Sequence, residues 1–186
     1  VMNTDKICIF SNMGILYKIK VTDLSLSKLK DKGTPIDNLS KFDSTKEEIL
    51  LAISEENMRG HSLLMLTSMG YIKRVDAQEF KTNNRQVAST KLTNEDMLIG
   101  VNLITRDKED ICIVSDKDYI LRFDISEVNE FKKNTRGEKA MTLGYDERIK
   151  ALYITEKDRI ASLNNKEVIL SKIKLSHRGY KGQKVK

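Results

Sequence analysis

The chain has 186 residues and a formal charge of +6, enough to bury a core as one domain or two. It holds one proline and no apolar run near the roughly eighteen residues of a membrane-spanning helix. Its two cysteines, Cys8 and Cys112, do not make a disulfide framework. No secretory leader follows Val1, so the expectation is a piece cut from a longer cytoplasmic protein.

The distribution of charge says more than its total. Six of the 33 basic residues fall in the last fifteen positions (Lys172, Lys174, Arg178, Lys181, Lys184, Lys186), where no acidic residue occurs. Elsewhere the basic side chains match the 27 acidic ones, so the body is neutral and the tail carries the excess. A high pI alone is then a weak pointer to nucleic acid.

In chain order, one segment recurs. Asp5-Lys-Ile-Cys-Ile-Phe-Ser-Asn-Met-Gly-Ile-Leu-Tyr-Lys-Ile19 returns as Ser62-Leu-Leu-Met-Leu-Thr-Ser-Met-Gly-Tyr-Ile-Lys-Arg-Val75. It returns again as Asp110-Ile-Cys-Ile-Val-Ser-Asp-Lys-Asp-Tyr-Ile-Leu-Arg-Phe123, and more loosely over Arg159–Ile173. Each copy is an apolar run, a polar turn and a second apolar run, the pattern of a β-hairpin. Gly14, Gly70 and Asp118 take the turn position where positive φ is cheapest. Cys8 and Cys112 fall at one repeat position, filled by Leu64 and Ala161 in the other copies, and read as small core groups. On the second strand Leu16, Lys18 and Lys20 alternate with Tyr17, Ile19 and Val21.

The second half of each unit repeats as well. A basic residue, usually before glycine, precedes an apolar position: Lys32-Gly33, Arg85-Gln86, Arg136-Gly137 and Arg178-Gly179. A last apolar run closes each of the first three units, with Ala52, Gly100 or Ala151 in its middle, as close sheet packing requires. Four short strands per unit at a period near fifty residues predict an all-β, propeller-like fold. The units run near 1–57, 58–107, 108–156 and 157–186, the last incomplete, all within one domain.

Catalytic chemistry is not apparent. There is no phosphate-binding glycine loop and no His-Glu-x-x-His or paired Cys-x-x-Cys spacing. His61 reads as a surface residue opening a strand, and His177 lies in a loop. Asp107, Glu109, Asp110, Asp116 and Asp118 are close enough to hold a cation, but their alignment with Asn12/Gly14 and Ser68/Gly70 favours turn chemistry. No metal, cofactor or catalytic residue is expected in this chain.

The basic positions give a better lead. Lys18, Arg74 and Arg122 share one repeat position; Lys32, Arg85, Arg136 and Arg178 share another. One cation per blade at one rim makes a curved track that bent duplex DNA can match. The competing explanation is solvated edge protection of strand ends, and at this point both stay open.

The order of motifs resembles the C-terminal domain of the A subunit of bacterial type IIA DNA topoisomerases, DNA gyrase and topoisomerase IV. The resemblance runs through Ile9-Phe-Ser-Asn-Met-Gly-Ile-Leu-Tyr-Lys-Ile19 with Lys32-Gly-Thr-Pro-Ile-Asp-Asn-Leu39. It continues through Leu66-Thr-Ser-Met-Gly-Tyr-Ile-Lys-Arg74 with Glu95-Asp-Met-Leu-Ile-Gly-Val101, then Asp124-Ile-Ser-Glu-Val128 with Thr135-Arg-Gly137. It implies a β-pinwheel, a propeller whose blades exchange strands and whose rim binds and bends duplex DNA. It also implies that the nucleophilic tyrosine and the ATPase lie in other parts of an ATP-hydrolysing isomerase, this domain steering the transported segment and the control of supercoiling. The gyrase box Gln-Arg-Arg-Gly-Gly-Lys-Gly has a partial relative in Ser176-His-Arg-Gly-Tyr-Lys-Gly182, so both parents stay open. The Gly-Thr-Pro-Ile segment leans toward gyrase.

The expected DNA-binding set is Lys18, Lys32, Arg74, Arg85, Arg122, Lys133, Arg136, Arg178, Lys181 and Lys184. Expected partners are double-stranded DNA, the ATPase subunit and the remainder of the A subunit, with no membrane and a cytoplasmic, nucleoid-associated location. The alternative is a protein-interaction propeller without DNA binding, although the chain has no tryptophan and so lacks the Trp-Asp signature of such blades.

Overall fold

Each repeat begins with the expected hairpin. In a computed structural model that describes residues 4–26, 28, 30–106, 109–155, 159–163 and 166–185, β1 (Lys6–Ser11) pairs antiparallel with β2 (Ile15–Lys20). In the second repeat β4 (Ser62–Thr67) pairs with β5 (Tyr71–Asp76), and in the third β8 (Asp110–Ser115) with β9 (Tyr119–Asp124). Gly14, Gly70 and Asp118 hold φ of 71°, 79° and 64°, the left-handed region such a turn needs. Closing strands β3 (Ile49–Ser54), β7 (Leu98–Ile104) and β11 (Ile149–Thr155) return to the first strand of each hairpin. A last hairpin joins β12 (Ile160–Leu163) to β13 (Lys166–Ile169).

The outer strand of each four-stranded sheet comes from the next repeat. Three short strands, β6 (Gln86–Ala88), β10 (Glu138–Lys139) and β14 (Gln183–Lys184), pair with β2, β5 and β9 of the unit before them. The sheet orders are therefore β3-β1-β2-β6, β10-β5-β4-β7 and β11-β8-β9-β14. The sequence period and the sheets are thus out of phase, each four-stranded sheet drawing on two successive units. The matching segment of the first unit, around Lys32, joins none of these sheets.

Sheets stack face to face, which covers both faces of the second and third hairpins. Cys8, Phe10 and Leu16 of the first sheet pack on Leu63, Met65, Val75 and Phe80 of the second unit. Leu64, Leu66 and Ile72 meet Ile111, Ile113 and Phe123 of the third. Cys112, Val114 and Ile120 meet Ala161, Leu163 and Leu170 of the fourth. Both thiols are fully buried, and burial pushes that of Cys8 up to about 11. The outer face of the first sheet is closed by Ile36, Leu39 and Phe42, with Phe42 edge-on to Tyr17 at 5.8 Å.

The closing strands lie against one another, β7 touching both β3 and β11, and so form the inner wall. The small residue there is explained at Gly100, where an added Cβ would sit 2.8 Å from a methyl of Leu152. Ala52 is exposed instead. Opposite the inner wall, β6, β10 and β14 form the periphery. Among the described residues no helix is long and apolar enough to cross a membrane.

Candidate nucleic-acid interface

The ten expected cations divide into two populations. Those on the second hairpin strand lie between blades. Lys18 is 3% exposed; its ammonium donates to Glu55 Oε1 at 2.5 Å, Phe80 O at 2.6 Å and Thr82 O at 3.3 Å. Arg122 binds Asp110 through Nε (2.8 Å) and Nη2, and donates from Nη1 to Ser171 O and to Ile173 O (3.0 Å) in the next unit. Arg74 is half-buried; its backbone N donates to Asn129 O at 3.1 Å and its carbonyl accepts from Phe131 N at 2.8 Å. At Lys18 and Arg122 the side chain is thus an inter-blade tie, whereas at Arg74 the bonds to the next unit are made by the backbone. A buried, fully hydrogen-bonded ammonium such as that of Lys18 presents no face to a phosphate.

Two loop cations are committed in the same way. Lys133 donates to Glu79 O at 2.5 Å. Arg178 donates to Glu127 O at 2.9 Å and Lys139 O at 2.6 Å and pairs with Glu138 Oε2 at 3.0 Å. These two correspond, since Glu79 and Glu127 each stand three residues after the Asp that caps the short turn behind the hairpin. The position matching Arg136 in the last unit is therefore Lys181, not Arg178. Cross-strand register agrees: Glu138 faces Ile72 and Gln183 faces Ile120, so Gly137 corresponds to Gly182. Both glycines have positive φ, 92° and 78°.

The second population lies on the periphery. Arg85 is 63% exposed and pairs with Asp23 at 3.2 Å. Arg136 is half-buried, with its guanidinium 3.6 Å above the Tyr71 ring. Lys181 occupies the same place above Tyr119 at 4.4 Å, and Lys184 lies 5.9 Å from that ring. Lys181, Lys184 and Lys32 are exposed.

The strand order also reveals a polarity that the overall charge hides. The peripheral segments 81–94, 129–143 and 172–185 hold twelve basic and two acidic residues. Among the described residues, the segments around the closing strands, 43–56, 95–106, 109–110 and 144–155, hold four basic and eleven acidic ones. Sequence reading missed Lys91, Lys139, Lys172 and Lys174, all exposed on the basic side. The signal was present as a charge alternation within each repeat.

A second missed feature is a carboxylate two residues before the closing strand: Glu47, Asp96 and Glu147. Each accepts from a hydroxyl, Tyr17 (2.6 Å), Ser68 (2.9 Å) and Ser115 respectively, and so pins the hairpin to its closing strand. The acidic cluster near the third turn is likewise structural. Asp116 Oδ1 accepts from Arg148 N at 3.0 Å, Asp118 pairs with Lys150 at 2.9 Å, and Asp110 holds Arg122. Asp107 lies outside the described residues. No group of three or more His, Cys, Asp or Glu among the described residues is placed to hold a metal ion. His61 is half-buried immediately before β4, and His177 is exposed, 3.4 Å from Glu127.

Lys73 adds a pH dependence. It is 1% exposed and donates to the carbonyls of Lys132, Lys133 and Thr135 at 3.3, 2.8 and 2.7 Å. Burial pushes its ammonium down from 10.5 to about 8. Between those values the unfolded chain holds a proton that the folded chain has released. Stability therefore rises with pH through that window, by on the order of 3 kcal/mol, and the full cost of burying the charge is present below it. Urea titrations of the parent and Lys73→Met at several pH values should show the parent gaining on the variant from pH 8 to 10.5. A constant gap would contradict this assignment.

The sequence profile of the family described as DNA gyrase C-terminal domain, beta-propeller, matches residues 5–44, 61–105 and 109–163. The A subunit of DNA gyrase from Escherichia coli (strain K12) is 29% identical over 160 residues, covering 85% of this chain and 18% of the relative. The solved C-terminal domain of DNA topoisomerase IV superposes with a TM-score of 0.87 at 25% identity, covering 98% of this chain and 58% of that one. The solved DNA gyrase A C-terminal domain gives 0.72 at 25% identity, covering 98% and 60%. The chain thus spans less than a fifth of the full-length relative and somewhat over half of each solved domain. With its repeats, its exchanged outer strands and these matches, the chain belongs to the DNA gyrase C-terminal domain family, an all-β propeller of the β-pinwheel type.

Proposed function

We propose that this chain binds and bends duplex DNA along the periphery of its blades, as a non-catalytic part of a bacterial type II DNA topoisomerase A subunit. The observation that carries the reading is the charge polarity of each repeat, twelve basic to two acidic residues on the outer segments against an acidic inner wall. Arg85, Arg136, Lys181 and Lys184, with Lys32 and Lys139, are the contacts of choice, and they meet phosphates without reading bases. Lys18, Arg122, Lys133 and Arg178 hold blades and loops in place.

The parent enzyme would carry the nucleophilic tyrosine elsewhere and work with an ATPase subunit, this domain presenting the transported segment so that strand passage has a set handedness. Gyrase is favoured over topoisomerase IV by Gly33-Thr-Pro-Ile36. Bending a short site costs on the order of 1–6 kcal/mol, which a few phosphate contacts offset at low salt and fail to offset at high salt. A duplex long enough to span several blades, labelled at both ends, tests the reading. Salt-sensitive binding that draws the ends together supports it, and no binding at low salt contradicts it.

A further inference from the structure

The loop Ser176–Gly182 is fastened through its backbone yet leaves an aromatic ring outside. Gly179 N donates to Ala140 O at 2.8 Å, Thr142 N to Tyr180 O at 3.1 Å, and Thr142 Oγ1 to Gly179 O at 2.7 Å. Arg178 clamps the same loop to Glu127 and Glu138. Tyr180 is nevertheless 59% exposed. Its ring stands edge-on to that of His177, centroids 5.8 Å apart, and the His177 side chain is itself 73% exposed.

Beside the ring opens a cleft of about 450 Å³, lined by Lys174, Ser176, Lys181 and Gln183 against the edge of β9. Arg122 walls it but is held by Asp110 and the carbonyls of the next unit. Register places Asn84 of the second unit at the position of Tyr180, because Val87 faces Leu16 as Gln183 faces Ile120. The cleft there, about 530 Å³, is lined by Asn84, Arg85, Gln86, Lys41 and their neighbours, and no aromatic side chain lines it. The third unit has Thr135 at this position, whose carbonyl accepts from Lys91 N as that of Tyr180 accepts from Thr142 N. Of these three matching positions only the last carries a ring.

An aromatic ring on a fixed backbone loses little freedom on binding and offers a π-face to a flat partner. Two exposed ammonium groups beside it select a partner with adjoining negative charge. An amide and a hydroxyl in the cleft can meet polar ring edges. We propose that Tyr180 and this cleft take one unstacked nucleobase, with its flanking phosphates on Lys174 and Lys181. The chain would thereby recognise interrupted or sharply kinked DNA. The proposal rests on the DNA-binding reading above.

The test compares two duplexes that differ only in a single-nucleotide bulge, one bearing adenine and the other an abasic sugar, so that flexibility is matched. Anisotropy titrations of the 186-residue chain should show the adenine bulge bound about 5- to 100-fold tighter. Tyr180→Ala should erase that difference and Tyr180→Phe should keep it. Equal affinity for the two bulges, or a preference that survives in Tyr180→Ala, overturns the stacking site while leaving the duplex-binding reading standing. Failure to bind either duplex overturns both.

Discussion

Gly137→Ala is expected to lower the unfolding free energy by about 2–5 kcal/mol, adding left-handed backbone strain to the cost of overpacking. The residue holds φ of 92°, and an added Cβ would lie 2.5 Å from Ile72 O and 3.0 Å from Lys73 Cβ. Those atoms belong to β5, the strand on which β10 is laid, so the methyl would push the exchanged strand off its host. Gly179→Ala is the matched control. Its φ is 86° but nothing lies within 4 Å of the added carbon, so only the backbone strain of about 1–2 kcal/mol applies. Urea midpoints at unchanged m-value measure both. Equal losses for the two variants would show that the close approach of β10 to β5 is not what requires glycine.

Replacing Arg85, Lys139, Lys181 and Lys184 together by glutamine is expected to weaken duplex binding on the order of a hundredfold at low salt. The slope of log K against log salt should fall by about three to four, near one unit for each phosphate that is no longer neutralised. All four residues are exposed on the peripheral segments. Glutamine in place of Lys46, Arg106, Arg148 and Lys150, which lie on or beside the closing strands, removes the same formal charge and should leave the slope unaltered. If both sets reduce it equally, binding depends on net charge alone and the polarity of the repeats has no role in it.

Much of this architecture could be read from residues. Gly14, Gly70 and Asp118 mark their turns because left-handed backbone is costly for other side chains, and the flanking apolar runs predict the hairpins. The exchanged strands were hidden for a physical reason: β6, β10 and β14 are two or three residues long, too short for a period of two to register. Alternation misled at Lys18. The rule that polar positions of a strand face solvent assumes one covered face, whereas stacked blades cover both and draw the ammonium between them. The last repeat misled differently, since Arg178-Gly179 and Lys181-Gly182 are both basic-glycine pairs. The pairing of Gln183 with Ile120, and the matching bonds of Lys133 and Arg178 to Glu79 and Glu127, distinguish them. The interface itself was half legible, because recurrence marks a position as important without saying whether it serves the fold or a ligand. Two of the cations that recur on the second strand, Lys18 and Arg122, tie blades together through their side chains. The exposed ones became visible once strand order showed which segments lie outside.

Energy transfer between the two ends of a duplex spanning several blades, titrated with the chain at about 50 and 200 mM salt, tests the central claim most directly. Binding at the lower salt with transfer rising as the ends approach, and both effects reduced at the higher salt, is the predicted result. Tight binding with no change in transfer would contradict bending, and no binding at the lower salt would contradict a nucleic-acid role for this periphery.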